Sequence, residues 1–233
     1  MNALLKSVTV VDPKSDFHNT TVDILIEDGI IAKISKRISN PNKVQEIRLT
    51  DLHCSPGWFD SSVSFGEPGH EERETLENGT RTAALSGFTS IALNNNTNPV
   101  LDNAASIRFI KDQTKNSTVR VLPIGALTVG SKSVDLAELY DMRSAGAVAF
   151  GDYKIETSNA NLMKIALQYA SNFGGLVMSF PSDSSINGKG VVNEHINSTK
   201  LGLKGMPNLA EELRISRDLF LLEYTGGKLH IPT

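Results

Sequence analysis

The chain has one cysteine, Cys54, among its 233 residues. An intramolecular disulfide framework is thereby excluded, and a reducing setting such as the cytoplasm is expected. Apolar runs are short: nowhere do about 18 consecutive apolar residues occur, so a membrane-spanning helix is not expected. The opening Met1-Asn2-Ala3-Leu4-Leu5-Lys6 lacks a basic stretch followed by a long apolar one, which argues against a secretory signal. Positive charge is not in excess either. A net charge of −3 creates no field that would gather a polyanion, and nucleic acid is not expected as a partner. What is present, 39% hydrophobic and 21% charged residues, is enough for one large globular domain, or one domain and part of another.

Two textures follow one another along the chain. Through residues 1–51, short apolar runs alternate with turn signals, as in Ser7-Val8-Thr9-Val10-Val11, Val22-Asp23-Ile24-Leu25-Ile26 and Ile30-Ile31-Ala32-Lys33-Ile34. This predicts small antiparallel β structure, with Glu27-Asp28-Gly29 as its tightest hairpin turn and Gly29 supplying a positive φ. From residue 52 to 233 the pattern becomes repeated βα units. Strands are expected over 52–60, 89–93, 119–124, 147–150, 175–179 and 228–231, and helices over 74–86, 104–114, 136–145, 161–172 and 208–225. Six strands and five helices suggest strands one to six of an incomplete (β/α)8 barrel, since a whole one usually needs about 250 residues. The last residues, Leu229-His230-Ile231-Pro232-Thr233, read as a strand caught midway, as in a fragment or a trimmed product. The polar stretch 181–199 reads as an active-face loop.

Such barrels place their reacting groups at the C-terminal ends of the strands. The first strand leads into Pro56-Gly57-Trp58-Phe59-Asp60-Ser61-Ser62-Val63-Ser64-Phe65-Gly66-Glu67-Pro68-Gly69. This segment resembles the signature Pro-Gly-x-x-Asp-x-His-x-His-x-Arg-Glu-Pro-Gly of the cyclic amidohydrolases, dihydroorotases above all. The resemblance runs over nearly the whole chain. Asn94-Asn95-Asn96-Thr97-Asn98-Pro99 is similar to the family's Met-Pro-Asn-Thr-x-Pro. Residues 145–152 resemble its Gly-Ala-x-Ala-Phe-Ser-Asp, Val177-Met178-Ser179-Phe180-Pro181 its Val-x-x-His-Cys-Glu, and 229–233 its Leu-His-Ile-x-His. The runs 188–194 and 202–211, followed by Arg217-Asp218, match the longer bacterial type of the multifunctional complex.

The resemblance implies an α/β fold, an amidohydrolase-type barrel entered from a small N-terminal β-sandwich portion. It also implies zinc, held by histidines at positions where this chain has Ser62, Ser64, Phe180 and Thr233, and a substrate-binding Arg where it has Gly66. Alternate residues of a strand share a face, so Ser62 and Ser64 keep the geometry of a His-x-His pair. A neutral hydroxyl is nevertheless a poor zinc ligand beside imidazole, carboxylate or thiolate. Asp152 is the acidic site residue that remains, and Asn96 matches the family's substrate-contacting Asn. No cofactor is therefore expected, and without zinc there is no Lewis acid and no bound water of pKa about 7. The resemblance implies a dihydroorotase-like protein of pyrimidine biosynthesis without catalysis, in a structural or regulatory role. Its expected partner is aspartate carbamoyltransferase, or a second copy through self-association. An active dihydroorotase with a non-standard metal site is the alternative, and a small-molecule binder using the vacated pocket around Asn96 a third.

Blander readings stand beside these. Ser62 and Ser64 have no base placed by motif to activate them as nucleophiles. His53, His70 and His195 read as structural or surface residues. Cys54 reads as packing, and Asp152 alone as a helix cap or a receiver of backbone amides. The acidic stretch from Glu67 to Glu77 reads as a solvated helix start rather than a metal loop.

Overall fold

The computed structural model of the chain describes residues 1–232. The chain divides into two compact units, Met1–Gly57 and the remainder from Trp58 onward.

The first unit is one mixed sheet. Its strands are β1 (Ala3–Val10), β2 (Thr21–Glu27), β3 (Ile30–Ser35), β4 (Gln45–Ile47) and β5 (His53–Cys54). β1, β2 and β3 form the expected antiparallel meander. The turn after Glu27 needs positive φ at both Asp28 (52°) and Gly29 (79°), the signature of the primed hairpin turns that match strand twist. The sheet is not wholly antiparallel, because β4 and β5 both run parallel to β1. That pairing carries the first unit past Asp51, where the sequence changes texture, as far as Gly57. Val8, Val10, Val22 and Ile24 form its apolar core, with Cys54 packed against them; burial raises the Cys54 thiol pKa. Asp23 is the buried charge of this unit. Lys6 pairs with its carboxylate at 2.5 Å, and the amides of Ser7 and Ile38 donate to it. Burial works to raise its pKa, but these donors prevail and hold it below the ordinary value.

The second unit alternates strand and helix: β6 (Trp58–Val63), α1 (Leu76–Leu85), β7 (Phe88–Leu93), α2 (Ala104–Gln113), β8 (Arg120–Gly125), α3 (Leu139–Ala145), β9 (Ala149–Phe150), α4 (Ala160–Ser171) and β10 (Val177–Met178). α5 (Ser184–Asn187), β11 (Val192–Asn193), α6 (Ile196–Lys200) and β12 (Gly205–Met206) follow, then α7 (Leu209–Thr225) and β13 (Leu229–His230). Six strands make a parallel sheet in the order β13-β10-β9-β8-β7-β6, the incomplete (β/α)8 barrel expected from the sequence. Stretch 181–199 is not one open loop: it contains α5, β11 and most of α6, and β11 pairs with β12.

Local chemistry sets the helix ends. Thr75, Asn103 and Asn159 each accept a first-turn amide of α1, α2 and α4 through a side-chain oxygen, satisfying donors that a helix start leaves orphaned. Gly146 at φ 113° ends α3 and Gly226 at φ 68° ends α7. The apolar stripe of α4 buries Leu162, Met163, Ala166, Leu167 and Ala170. Successive strand residues then point to opposite faces of the sheet. Ile91 and Leu93 join the large core that includes Ile107, Leu139 and Phe150, whereas Ala92 joins a smaller cluster with Ile124, Ala149 and Met178. That smaller cluster leads to the strand ends.

Candidate functional site

β6 and β7 run parallel with Asp60 opposite Ile91 and Val63 opposite Leu93. This register brings the residues after β7 alongside the end of β6. Asn94 donates to Ser62 Oγ at 3.0 Å. Two residues on, Asn96 donates to Ser64 Oγ at 2.8 Å, and Arg73 also reaches that oxygen at 3.3 Å. Between them, Asn95 donates to the Gly151 carbonyl at 2.6 Å, joining the end of β7 to that of β9. The two serines predicted from the signature thus lie at one end of the sheet, each paired with an asparagine.

Asp152 follows β9 and is buried. The amides of Leu127 and Thr128 donate to its Oδ1 at 3.0 and 3.2 Å, and the Thr128 hydroxyl to its Oδ2 at 2.5 Å. Desolvation raises its pKa, opposed by those hydrogen bonds. Phe180, half-buried after β10, brings a hydrocarbon ring to its strand end. Thr233 lies outside the described residues.

Gly66 is buried in a tight turn. Its amide donates to the Glu74 carbonyl at 2.9 Å, and its carbonyl accepts from the His70 amide at 3.0 Å. A β-carbon placed on Gly66 would stand 1.7 Å from the His70 carbonyl oxygen. The backbone therefore has no room for any side chain where the signature has Arg.

Zinc, which the resemblance implies, does not fit this donor set. Two neutral hydroxyls, an aromatic ring and a carboxylate already receiving three protein donors cannot replace imidazoles. Among the described residues no three His, Cys, Asp or Glu side chains are grouped to hold a metal ion. His230 lies within β13, paired with Met178, and three further histidines stand away from these strand ends. His53 lies in β5, His70 closes the Gly66 turn, and His195 caps α6 through its ring nitrogen. Glu67, in the acidic stretch, accepts the Leu76 amide at the start of α1.

A cavity of about 280 Å³ opens at these strand ends, lined by Ser62, Asn94, Asp152, Lys154, Met178 and Phe180 among others. Asn94 lines it, and Asn96, around which the sequence placed a vacated pocket, does not. Tyr153 and Lys154 on its wall were not expected from the sequence; no motif marks them, and Lys154 reaches its place through a left-handed backbone (φ 57°). Another unforeseen cluster lies close by. Arg214, from α7, donates to the carbonyls of Ser182 and Thr157 and pairs with Asp183 and Glu156 at 3.3 and 3.7 Å. Asp218, also from α7, accepts from Ser179 just after β10. No helix among the described residues is long and apolar enough to cross a membrane.

A dihydro-orotase-like family model matches residues 53–233. The dihydroorotase of Pelotomaculum thermopropionicum is 45% identical over 99% of the chain and 54% of its own length. That of Ruminiclostridium cellulolyticum is 42% identical with the same coverage. The chain thus spans about half the length of the curated relatives it matches. Among solved structures, L-hydantoinase (dihydropyrimidinase) from Arthrobacter aurescens superposes with a TM-score of 0.75 at 20% identity, over 99% of this chain and 52% of that one. A dihydroorotase crystal structure superposes with a TM-score of 0.58 at 16% identity, over 99% and 64%. At those identities the superpositions establish the fold, a partial amidohydrolase-type barrel.

Proposed function

The chain belongs to the dihydro-orotase-like family, and from that premise we propose that it serves pyrimidine biosynthesis without performing zinc-dependent hydrolysis, in a structural or regulatory role. One observation carries this reading. At each described strand end where the signature places a zinc-binding His, the residue present is either hydrogen-bonded to a neutral neighbour, as Ser62 and Ser64 are, or apolar, as Phe180 is. The Gly66 turn supports the same reading, since it closes the position of the carboxylate-binding Arg. A hydroxyl with no adjacent base does not attack an amide at neutral pH, so the serines supply no substitute chemistry.

The polar groups that remain can still organise the strand ends. Asn96, which resembles the family's substrate-contacting Asn, holds Ser64, and Asp152 fixes the segment after β8 through three donors. The partner we propose is aspartate carbamoyltransferase, on family analogy.

Metal analysis combined with a dihydroorotate hydrolysis assay tests the proposal. Zinc well below one equivalent and no turnover are expected. Stoichiometric zinc, with turnover abolished by a chelator, would instead establish an active dihydroorotase with a non-standard metal site. Co-elution with aspartate carbamoyltransferase of the same organism is expected at micromolar concentration, and its absence removes that partner.

A further inference from the structure

Three observations meet in the cavity at the strand ends. The first is an unspent amide. Asn94 is 3% exposed and lines the cavity, yet its side chain makes one hydrogen bond, to Ser62. No fully buried side-chain polar atom among the described residues lacks a partner, so its other amide atom opens onto the cavity. Turning the amide over keeps the bond to the hydroxyl, because Ser62 can donate as well as accept; the pair can therefore offer the cavity an acceptor or a donor.

The second observation is a cation. Lys154 lines the cavity with its ammonium 5.3 Å from the centre of the Tyr153 ring, and it belongs to none of the ion pairs of the described residues. Asp152 lies two positions away in sequence, but its carboxylate receives Leu127 and Thr128. The third is an apolar wall made by Ile124, Met178 and Phe180. A pocket with an apolar wall, one polar pair and one free cation selects a compact molecule that is apolar at one end and negative at the other.

We propose that this cavity binds a small organic acid, with its carboxylate at Lys154, its apolar or aromatic body against Ile124, Met178 and Phe180, and one hydrogen bond to the Asn94–Ser62 pair. The anion is held by a residue following the fourth barrel strand, not by the first-strand position, which the Gly66 turn closes. The proposal rests on the zinc-free reading above, because the acid is held by side chains alone.

Benzoate and its uncharged isostere benzamide, titrated into the chain in the presence of EDTA and followed by NMR shifts, test it. Benzoate is expected to bind with a Kd on the order of 1 mM, reasonable for so small a ligand, and benzamide at least about fivefold more weakly. Lys154→Gln should abolish that preference, Lys154→Arg should retain it, and Phe180→Ala should weaken both ligands. Lys154 is exposed, so its variants are expected to fold as the parent does, checked by their melting temperatures. Equal binding of the two probes, an unchanged preference in Lys154→Gln, or no binding of benzoate with or without zinc overturns this site and leaves the zinc-free reading standing. Benzoate binding that requires added zinc and is lost with EDTA overturns both.

Discussion

At Gly66 a single missing side chain decides what can be rebuilt. Its β-carbon would stand 1.7 Å from the His70 carbonyl oxygen, far inside any real contact, and that oxygen belongs to the backbone, which cannot swing away like a side-chain tip. Gly66→Arg is therefore expected to destabilise the chain by about 2 kcal/mol or more, read by urea denaturation. The double change Ser62→His and Ser64→His should be far milder, since Ser62 is exposed and Ser64 half-buried. A Gly66→Arg variant as stable as its parent would show that the turn opens readily. The departure from the signature's His and Arg is read from the sequence because Pro56-Gly57 and Glu67-Pro68-Gly69 match the frame around those positions. The closure of the turn is not, because it depends on where the chain at His70 folds back.

At the scale of elements, α7 fastens segments that the sequence gives no reason to connect. Arg214, 4% exposed, donates to the carbonyls of Thr157 and Ser182, while the Ser184 amide donates to Glu156. Replacing Arg214 with Met removes the side-chain donor of the Ser182 carbonyl and the cation beside Asp183 and Glu156, while Thr157 keeps Arg217 and Asp183 keeps Ser185. A loss of about 3 kcal/mol is expected, together with faster hydrogen exchange at the amides of 182–187. Unchanged exchange there would mean that α5 is held by its own cap at Asp183. The long helices and most strands were readable, but the strand expected over 52–60 is split into β5, which pairs with β1, and β6, which begins at Trp58 beside β7. The stripe of α4 and the βα spacing report burial that recurs at fixed intervals. Stretch 181–199 was not, since its short helices and two-residue strands depend on partners distant in sequence, such as β12 for β11. Likewise, β4 and β5 join β1 in parallel, which an alternating apolar pattern cannot distinguish from antiparallel pairing.

The molecule as a whole carries two buried carboxylates whose responses to pH have opposite signs. Asp23 has its folded pKa lowered by Lys6 and two amides, against the effect of burial. Its contribution is present above the unfolded value of about 3.9 and is lost as pH falls through the folded one. Asp152 has its folded pKa raised by desolvation, so its contribution is complete below the unfolded value and declines as pH rises through the folded one. Asp23→Asn should therefore cost about 2 kcal/mol near neutrality, and less as pH falls below about 4. Asp152→Asn should cost more in acid than at neutrality. Denaturation midpoints measured across that range check both, and parallel profiles for the two variants would contradict the opposite signs. Another whole-molecule property follows from the serine–asparagine pairs. Where strand ends converge on an ion, part of the free energy that fixes those ends comes from binding it. Here Ser62 with Asn94, Ser64 with Asn96, and Asn95 with Gly151 are supplied by the polypeptide itself, so the zinc-free reading proposed above predicts that the chain refolds at the same rate in EDTA and in added zinc.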